Sequence, residues 1–243
     1  MNGAGADAPL VHTRALQIAV PGRILVRTLT ARIAAGECWA VLGPNGAGKT
    51  LLLRALAGLR APTGGEVWID GIALAEWPRR ALARRLALLL QEESSADYWG
   101  NVAEYVALGR LPHGSTAPGA PEVRTALDRL GIARLSNRSM RTLSGGERQR
   151  ARIAQTLAQD ASVLLWDEPL NHLDLRHQRE VMRLAASLRV EGRAIVMTLH
   201  DPALAAAHGT HALLLYDSGD IDMGPVASVV TDRAISRLYS LED

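Results

Sequence analysis

The chain reads as an α/β fold, a mostly parallel sheet with helices on both faces, joined to a small antiparallel β portion. Three observations predict this. The runs at 38–42, 86–90, 162–166, 194–199 and 212–216 are short and mostly apolar without alternation, the pattern of strands buried on both faces. Helical segments separate these runs, as crossovers between parallel strands require. Ahead of them, Leu29, Ala31 and Ile33 alternate with Thr28, Thr30 and Arg32, which suits antiparallel strands buried on one side.

In chain order, residues 1–9 read as a disordered leader and 10–33 as the alternating strands. Ala35-Gly36 turns into the run Cys38-Trp39-Ala40-Val41-Leu42. A glycine-rich segment, 43–50, then leads to a helix beginning near Leu51. Pro62-Thr63-Gly64-Gly65 reads as a turn, Glu66–Ile69 as a strand, and Asp70-Gly71 as the tip of a hairpin. Pro78-Arg79-Arg80 opens a helix, and the next strand ends at Gln91. From about 92 to 160 strand patterns give way to helical ones at 99–106 and 122–130. Between these lies a loop rich in Gly, Pro and Ser over 113–121. This stretch reads as an inserted helical subdomain of a single domain spanning 10–238, with 239–243 as a tail.

Composition narrows the partners. Of 243 residues, 48% are hydrophobic and 21% charged, and the net charge is +2. No basic run stands out, so nucleic acid is not an expected partner. Cys38 is the single cysteine, which excludes a disulfide framework and fits a reducing compartment. The first residues lack the basic start and apolar run of a signal peptide. No apolar stretch approaches the ~20 residues needed to cross a bilayer, so the chain is expected to be soluble by itself.

Gly43-Pro44-Asn45-Gly46-Ala47-Gly48-Lys49-Thr50 lies between a strand and a helix, the setting of a phosphate-binding loop. Glycines let successive N–H groups turn toward an anion, and the helix N-terminus adds its positive dipole end. Lys49 can reach the β- and γ-phosphates, and the Thr50 hydroxyl can ligate Mg²⁺. At average residue usage the pattern arises by chance in about one chain in a hundred of this length. Lys49 is also the only lysine in a chain that otherwise uses arginine, and a compact charge on a flexible stem suits phosphate.

Two further stretches carry chemistry. Asp167 and Glu168 end the apolar run 163–166. Downstream of a phosphate loop, Asp167 suits the Mg²⁺ shell and Glu168 suits the attacking water, although acidic pairs at strand ends are also simply solvated. Leu143-Ser144-Gly145-Gly146-Glu147 precedes a helix whose inner face is Ile153, Ala154, Leu157 and Ala158. A serine hydroxyl and bare backbone N–H groups there suit a second anion contact. Ser144 as a plain N-cap with Glu147 in the first turn explains the same letters, apart from the two glycines.

Residues 43–50, 143–149 and 163–168, in this order, resemble the ATP-binding cassette (ABC) ATPases, and the resemblance covers about 10–238. Leu143-Ser144-Gly145-Gly146-Glu147 is the stretch specific to that family. The resemblance implies a P-loop NTPase, RecA-like core with the antiparallel and inserted helical subdomains. It implies ATP and Mg²⁺ as ligands, with 43–50 and Ser144 to Glu147 on the nucleotide, and Thr50, Gln91 and Asp167 on the metal. Glu168, Gln91 and His200 take the catalytic roles: base, link from Mg²⁺ and the attacking water to the transporter contact surface, and switch histidine on the γ-phosphate. Asn171-His172-Leu173-Asp174 matches the loop that crosses a dimer interface. Two chains would pack head to tail, each ATP lying between one Lys49 loop and the other chain's Ser144-Gly145-Gly146.

Leu108-Gly109-Arg110-Leu111-Pro112-His113 and Leu173-Asp174-Leu175-Arg176-His177-Gln178 look like the importers for iron–siderophore, haem and cobalamin. That implies a peripheral subunit on the cytoplasmic face of the inner membrane, bound to a separate permease and only indirectly to a substrate-binding protein. The 109–113 stretch would lie beside the permease contact, although a helix end capped by Gly-Arg and stopped by Pro reads the same way. The alternatives are another ABC importer or exporter motor, or a soluble cassette protein. Three positions depart from the family pattern. No aromatic falls near Val20-Pro21, where one usually stacks on adenine; Trp166 replaces a small aliphatic, and Leu170 a small polar residue.

Overall fold

The computed structural model describes residues 9–90 and 98–240. The expected leader (apart from Pro9), Gln91 and the last three residues of the expected tail lie outside the described residues.

A first sheet is built from β1 (Val11–Val20), β2 (Arg23–Leu29), β3 (Arg32–Ile33), β5 (Gly64–Ile69) and β6 (Ile72–Ala73), all pairing antiparallel. The β5–β6 hairpin turns on Asp70 and Gly71, both at positive φ (50° and 76°), as a tight two-residue turn matched to strand twist requires. β5 starts at Gly64, inside the expected turn. Pairing with Gln17 of β1 draws the glycines into the sheet, with a bulge where Gly65 meets Ala15.

The second sheet orders its strands β11-β10-β4-β9-β8-β7. Here β4 is Cys38–Leu42, β7 Leu86–Leu89, β8 Val163–Trp166, β9 Ala194–Thr198, β10 His211–Leu215 and β11 Ile221–Pro225. All neighbours are parallel except β11, an antiparallel edge strand that the sequence pattern does not announce. Its residues are half-exposed, so it lacks the apolar run that marks the others.

Period-two alternation sorts the core. Trp39, Val41, Val163, Leu165 and Val196 pack with α1 (Lys49–Leu56) and the antiparallel sheet. Cys38, Ala40, Leu42, Leu164, Trp166 and Met197 face the other way. They meet α3 (Val102–Ala107), α4 (Pro121–Arg129), α5 (Gly145–Ala158) and α6 (Leu175–Val190). Both faces of the central strands are therefore covered, which is why they read as continuous apolar runs. A short α2 (Arg79–Arg85) precedes β7, and α7 (Pro202–His208), α8 (Val226–Val229) and α9 (Asp232–Tyr239) complete the chain.

Helix α3 starts at Val102, later than residue 99, because Asn101 and Glu104 close a reciprocal cap. Trp166 fits the strand without disturbing it. It is wholly buried and its indole N–H donates to Thr156 Oγ1 at 3.1 Å, while Asp167 N still donates to Leu89 O at 2.9 Å.

Candidate functional site

In an open parallel sheet, ligands sit beyond the carboxyl ends of the strands. β4 is central, with β10 and β9 as its neighbours, and the loop 43–48 leaves its carboxyl end. Gly43 must be glycine, since a Cβ there would stand 2.7 Å from Leu215 O of β10. Gly48, at φ 102°, opens α1 with no side-chain cap and no acid in the first turn. The N–H groups at this helix start are left to whatever anion arrives.

Lys49 is 6% exposed, and its Nζ donates to Gly43 O (2.7 Å) and Pro44 O (3.1 Å). Burial lowers its pKa, with the charges of Glu168 and Asp167 acting in opposition. The ammonium is thus held curled within its own loop, close to both carboxylates. Thr50 follows it on the wall of a cavity of about 370 Å³, together with Asn45, Gly46, Gly48, Glu168 and His200.

The two carboxylates at the end of β8 are finished differently. Asp167 is 1% exposed; its Oδ1 accepts from Thr198 Oγ1 at 2.8 Å, and its buried Oδ2 has no partner among the described residues. Glu168 takes a positive φ of 49°, which swings it off the strand. Its N–H donates to Thr198 Oγ1 at 2.7 Å, and Oε1 lies 3.0 Å from His200 Nε2. Oε2 accepts from Asn171 Nδ2. A single hydroxyl, Thr198 on β9, therefore fixes both acids. Thr198 escapes sequence reasoning because the partners lie about 30 positions away on another strand. A polar residue ending an otherwise apolar run was the only local signal.

Gln149 was also missed. From α5 its side-chain amide donates to Glu168 O (3.3 Å) and Pro169 O (3.1 Å), tying that helix to the acid's backbone. Tyr239 of α9 reaches His200 O at 3.5 Å.

Ser144 caps α5. Its Oγ accepts from Glu147 N at 3.2 Å, and Glu147 Oε2 accepts from Ser144 N at 3.0 Å. That backbone N–H holds the Glu147 carboxyl below the usual carboxylate range. The two glycines do not precede the helix; they form its first turn, and packing explains them. A Cβ on Gly145 would lie 3.3 Å from His172 Cβ, and one on Gly146 would lie 3.1 Å from His172 O. The structure brings Lys49, Thr50, Asp167, Glu168 and His200 together. It leaves Ser144 to Glu147 off the wall of the loop's cavity.

Arg110 and His113 tie to the end of α5, a different helix from the one they follow in the chain. Arg110 donates to Ala158 O (3.0 Å) and pairs with Glu122 (2.9 Å), and His113 Nε2 contacts Gln159 O (2.9 Å). The exposed apolar side chains of this region are Leu111 and Trp99, the latter 83% exposed with Arg141 over its ring. Near Val20-Pro21 no aromatic replaces the missing one. On the phosphate-loop side, the Arg23 guanidinium lies 3.9 Å from a Cβ built on Gly46 and is paired with Asp217 at 3.0 Å.

Residues 26–171 match the family described as ABC transporter. The hemin import ATP-binding protein HmuV of Nocardia farcinica is 40% identical over 223 residues, spanning 90% of this chain and 77% of that protein. The ferric enterobactin transport ATP-binding protein FepC of Escherichia coli is 36% identical over 223 residues, 89% of this chain and 82% of that one. A solved ABC transporter structure, described as metal-chelate type and inward-facing, superposes with a TM-score of 0.81 at 26% identity, covering 95% of this chain and 89% of that chain.

Proposed function

Since this chain belongs to the ABC transporter family of ATP-binding proteins, which hydrolyse ATP to power transport, we propose that it drives uptake of a metal chelate through a separate permease. Haem and ferric siderophores are the cargo classes that its relatives' names favour, with cobalamin as the remaining cargo of that import group. The observation that carries the reading is the joint placement of Lys49, Thr50, Glu168 and His200 around one cavity at the carboxyl end of β4, with Asp167 beside it.

In this reading the loop N–H groups and Lys49 hold the ATP phosphates, and Lys49 exchanges its two carbonyl partners for phosphate oxygens. Asp167 Oδ2, without a partner among the described residues, and the Thr50 hydroxyl would hold a Mg²⁺ ion. When bound, that ion neutralises charge developing on the transferred phosphoryl group. Glu168, oriented by Thr198 and Asn171, takes the proton of the attacking water. His200 leaves Glu168 to contact the γ-phosphate. Gln91 keeps the role that the family resemblance implies.

Ser144, Gly145 and Gly146 complete the site from a second copy of the chain, which is consistent with their distance from the cavity around Lys49. The Ser144 hydroxyl is already an acceptor in its cap, so its own proton remains free for an oxyanion. No helix among the described residues is long and apolar enough to cross a membrane. Following the relatives' roles in import, we place the subunit peripherally, on the cytoplasmic face, with Trp99 and Leu111 toward the permease.

The test is association. A tagged chain purified from native membranes should bring a polytopic membrane protein. Trp99→Glu with Leu111→Glu should weaken that association and spare nucleotide binding. Recovery with ribosomes or DNA instead would overturn the importer reading.

A further inference from the structure

The cleft between α4, the start of α5 and α6 holds a second cavity, of about 860 Å³, away from the loop's own. Arg150, on its wall, is only 7% exposed. One terminal nitrogen donates to Leu130 O at 3.3 Å, but the buried Nε has no partner among the described residues. A guanidinium N–H removed from water and left unpaired is costly, and in native proteins it calls for a partner.

Of the four other arginines lining the same cavity, Arg134 and Arg183 form no side-chain hydrogen bond or ion pair among the described residues. Burial lowers the Arg150 pKa; the charges of Glu147 and Glu180 oppose this, and the Arg134 charge adds to it. Arg134 and Arg150 are therefore close enough to repel. The carboxylates on the wall are already engaged in part. Glu147 is spent on Ser144 N and lies 3.9 Å from Arg138, and Glu180 is paired with Arg176 at 3.1 Å. Asp128 is the third.

We propose that this cleft binds a small polyvalent oxyanion of the phosphate or pyrophosphate class, held by Arg134, Arg150 and Arg183. Guanidinium forks match phosphate oxygens two at a time, and a ligand with several charges can meet all three arginines at once and supply the Arg150 Nε with a partner. The volume lies within the usual range for small-ligand sites. Ser144 and Glu147 stand on the same wall, so an occupied cleft braces the start of α5 against α6. That coupling to the nucleotide clamp rests on the function proposed above; binding itself does not.

The test is calorimetric titration of the full chain with pyrophosphate in the absence of Mg²⁺. The phosphate loop also takes pyrophosphate, so the reference is Lys49→Ala, which should keep one site per chain. Adding Arg134→Ala and Arg183→Ala, both at exposed positions, should weaken that remaining site at least about tenfold while leaving thermal melting unchanged. If Lys49→Ala abolishes all binding, or if the residual site ignores the two arginine changes, the proposal is wrong. If Lys49→Ala changes nothing while the arginine changes remove the binding, the cleft stands and the phosphate-loop assignment fails.

Discussion

Helices α1 and α5 both begin with glycine and both are assigned to phosphate, but their ends are built in opposite ways. α1 opens at Gly48 with no side-chain cap and no acid in its first turn. Beside it, Asp167 Oδ2 lacks a partner among the described residues and Lys49 Nζ is parked on its own loop's carbonyls. α5 opens at Ser144 with both halves of a capping box closed and a carboxylate in place. One end is incomplete until a ligand arrives; the other is already satisfied as a helix terminus. The α1 end therefore makes the primary anion site within a chain, and the α5 end can add only what its cap leaves over: the serine proton and the first-turn N–H groups. That asymmetry suits a clamp that closes late, from a neighbouring molecule.

The largest effect comes from breaking the two ends separately and recombining them. Glu168→Gln should lower steady-state hydrolysis by ~10²–10⁴-fold while keeping ATP bound. In that background, homodimers of Lys49→Ala or of Ser144→Arg should trap no ATP. A mixed dimer places both lesions in one shared site and leaves the other site intact, so trapping of about one ATP per dimer should return. If each chain builds its own site from both ends, every site keeps a lesion and no trapping returns.

What the sequence disclosed follows the same division. β4 was legible to the residue as Cys38–Leu42 because its burial on both faces leaves only apolar side chains. The carboxyl-terminal placement of Lys49, Asp167, Glu168 and His200 followed from strand ends that carry polar residues. Relations across strands were not legible. Thr198 meets Asp167 and Glu168 through sheet order, and Gln149 meets Pro169 through the packing of α5. Neither contact has a local pattern. The two glycines of α5 suggested an anion site, yet their immediate cause is the close passage of His172, a tertiary fact. The tie from Arg110 to the end of α5 was equally hidden, because side-chain reach, unlike periodicity, cannot be read along one segment.

The next effect bears on the α1 end alone. Thr198→Val keeps the shape of the side chain and removes the hydroxyl that Asp167 and Glu168 share. A buried acceptor and a donor are left unsatisfied, which costs about 1–3 kcal/mol of stability. Turnover should fall about tenfold, with ATP affinity much less affected, because the hydroxyl orients the acids and does not touch the nucleotide. Denaturant unfolding and steady-state kinetics check both expectations. Unchanged turnover would mean that Asn171 and His200 suffice to orient Glu168.

The smallest effect tests whether the closed cap at α5 restrains its phosphate role. Glu147→Gln keeps a side chain able to accept from Ser144 N but removes the negative charge from the helix N-terminus. Loss of that charge should cost about 0.3–1 kcal/mol of stability at neutral pH. Because the folded-state pKa of Glu147 is lowered, its contribution is fully present above the ordinary glutamate range. It disappears as pH falls through the lowered value. The stability gap between wild type and variant should therefore be present at neutral pH and close in acid, as denaturant titrations at the two pH values would register. ATP trapping should move the other way. With one fewer negative charge beside Ser144, a second chain's nucleotide meets less repulsion, and trapping in the Glu168→Gln background should strengthen. A variant that loses stability at neutral pH and gains trapping would establish that the cap is held at some cost to the clamp. A variant that loses both would mean that the Glu147 charge aids the nucleotide site, and the contrast drawn between the two helix starts would be wrong.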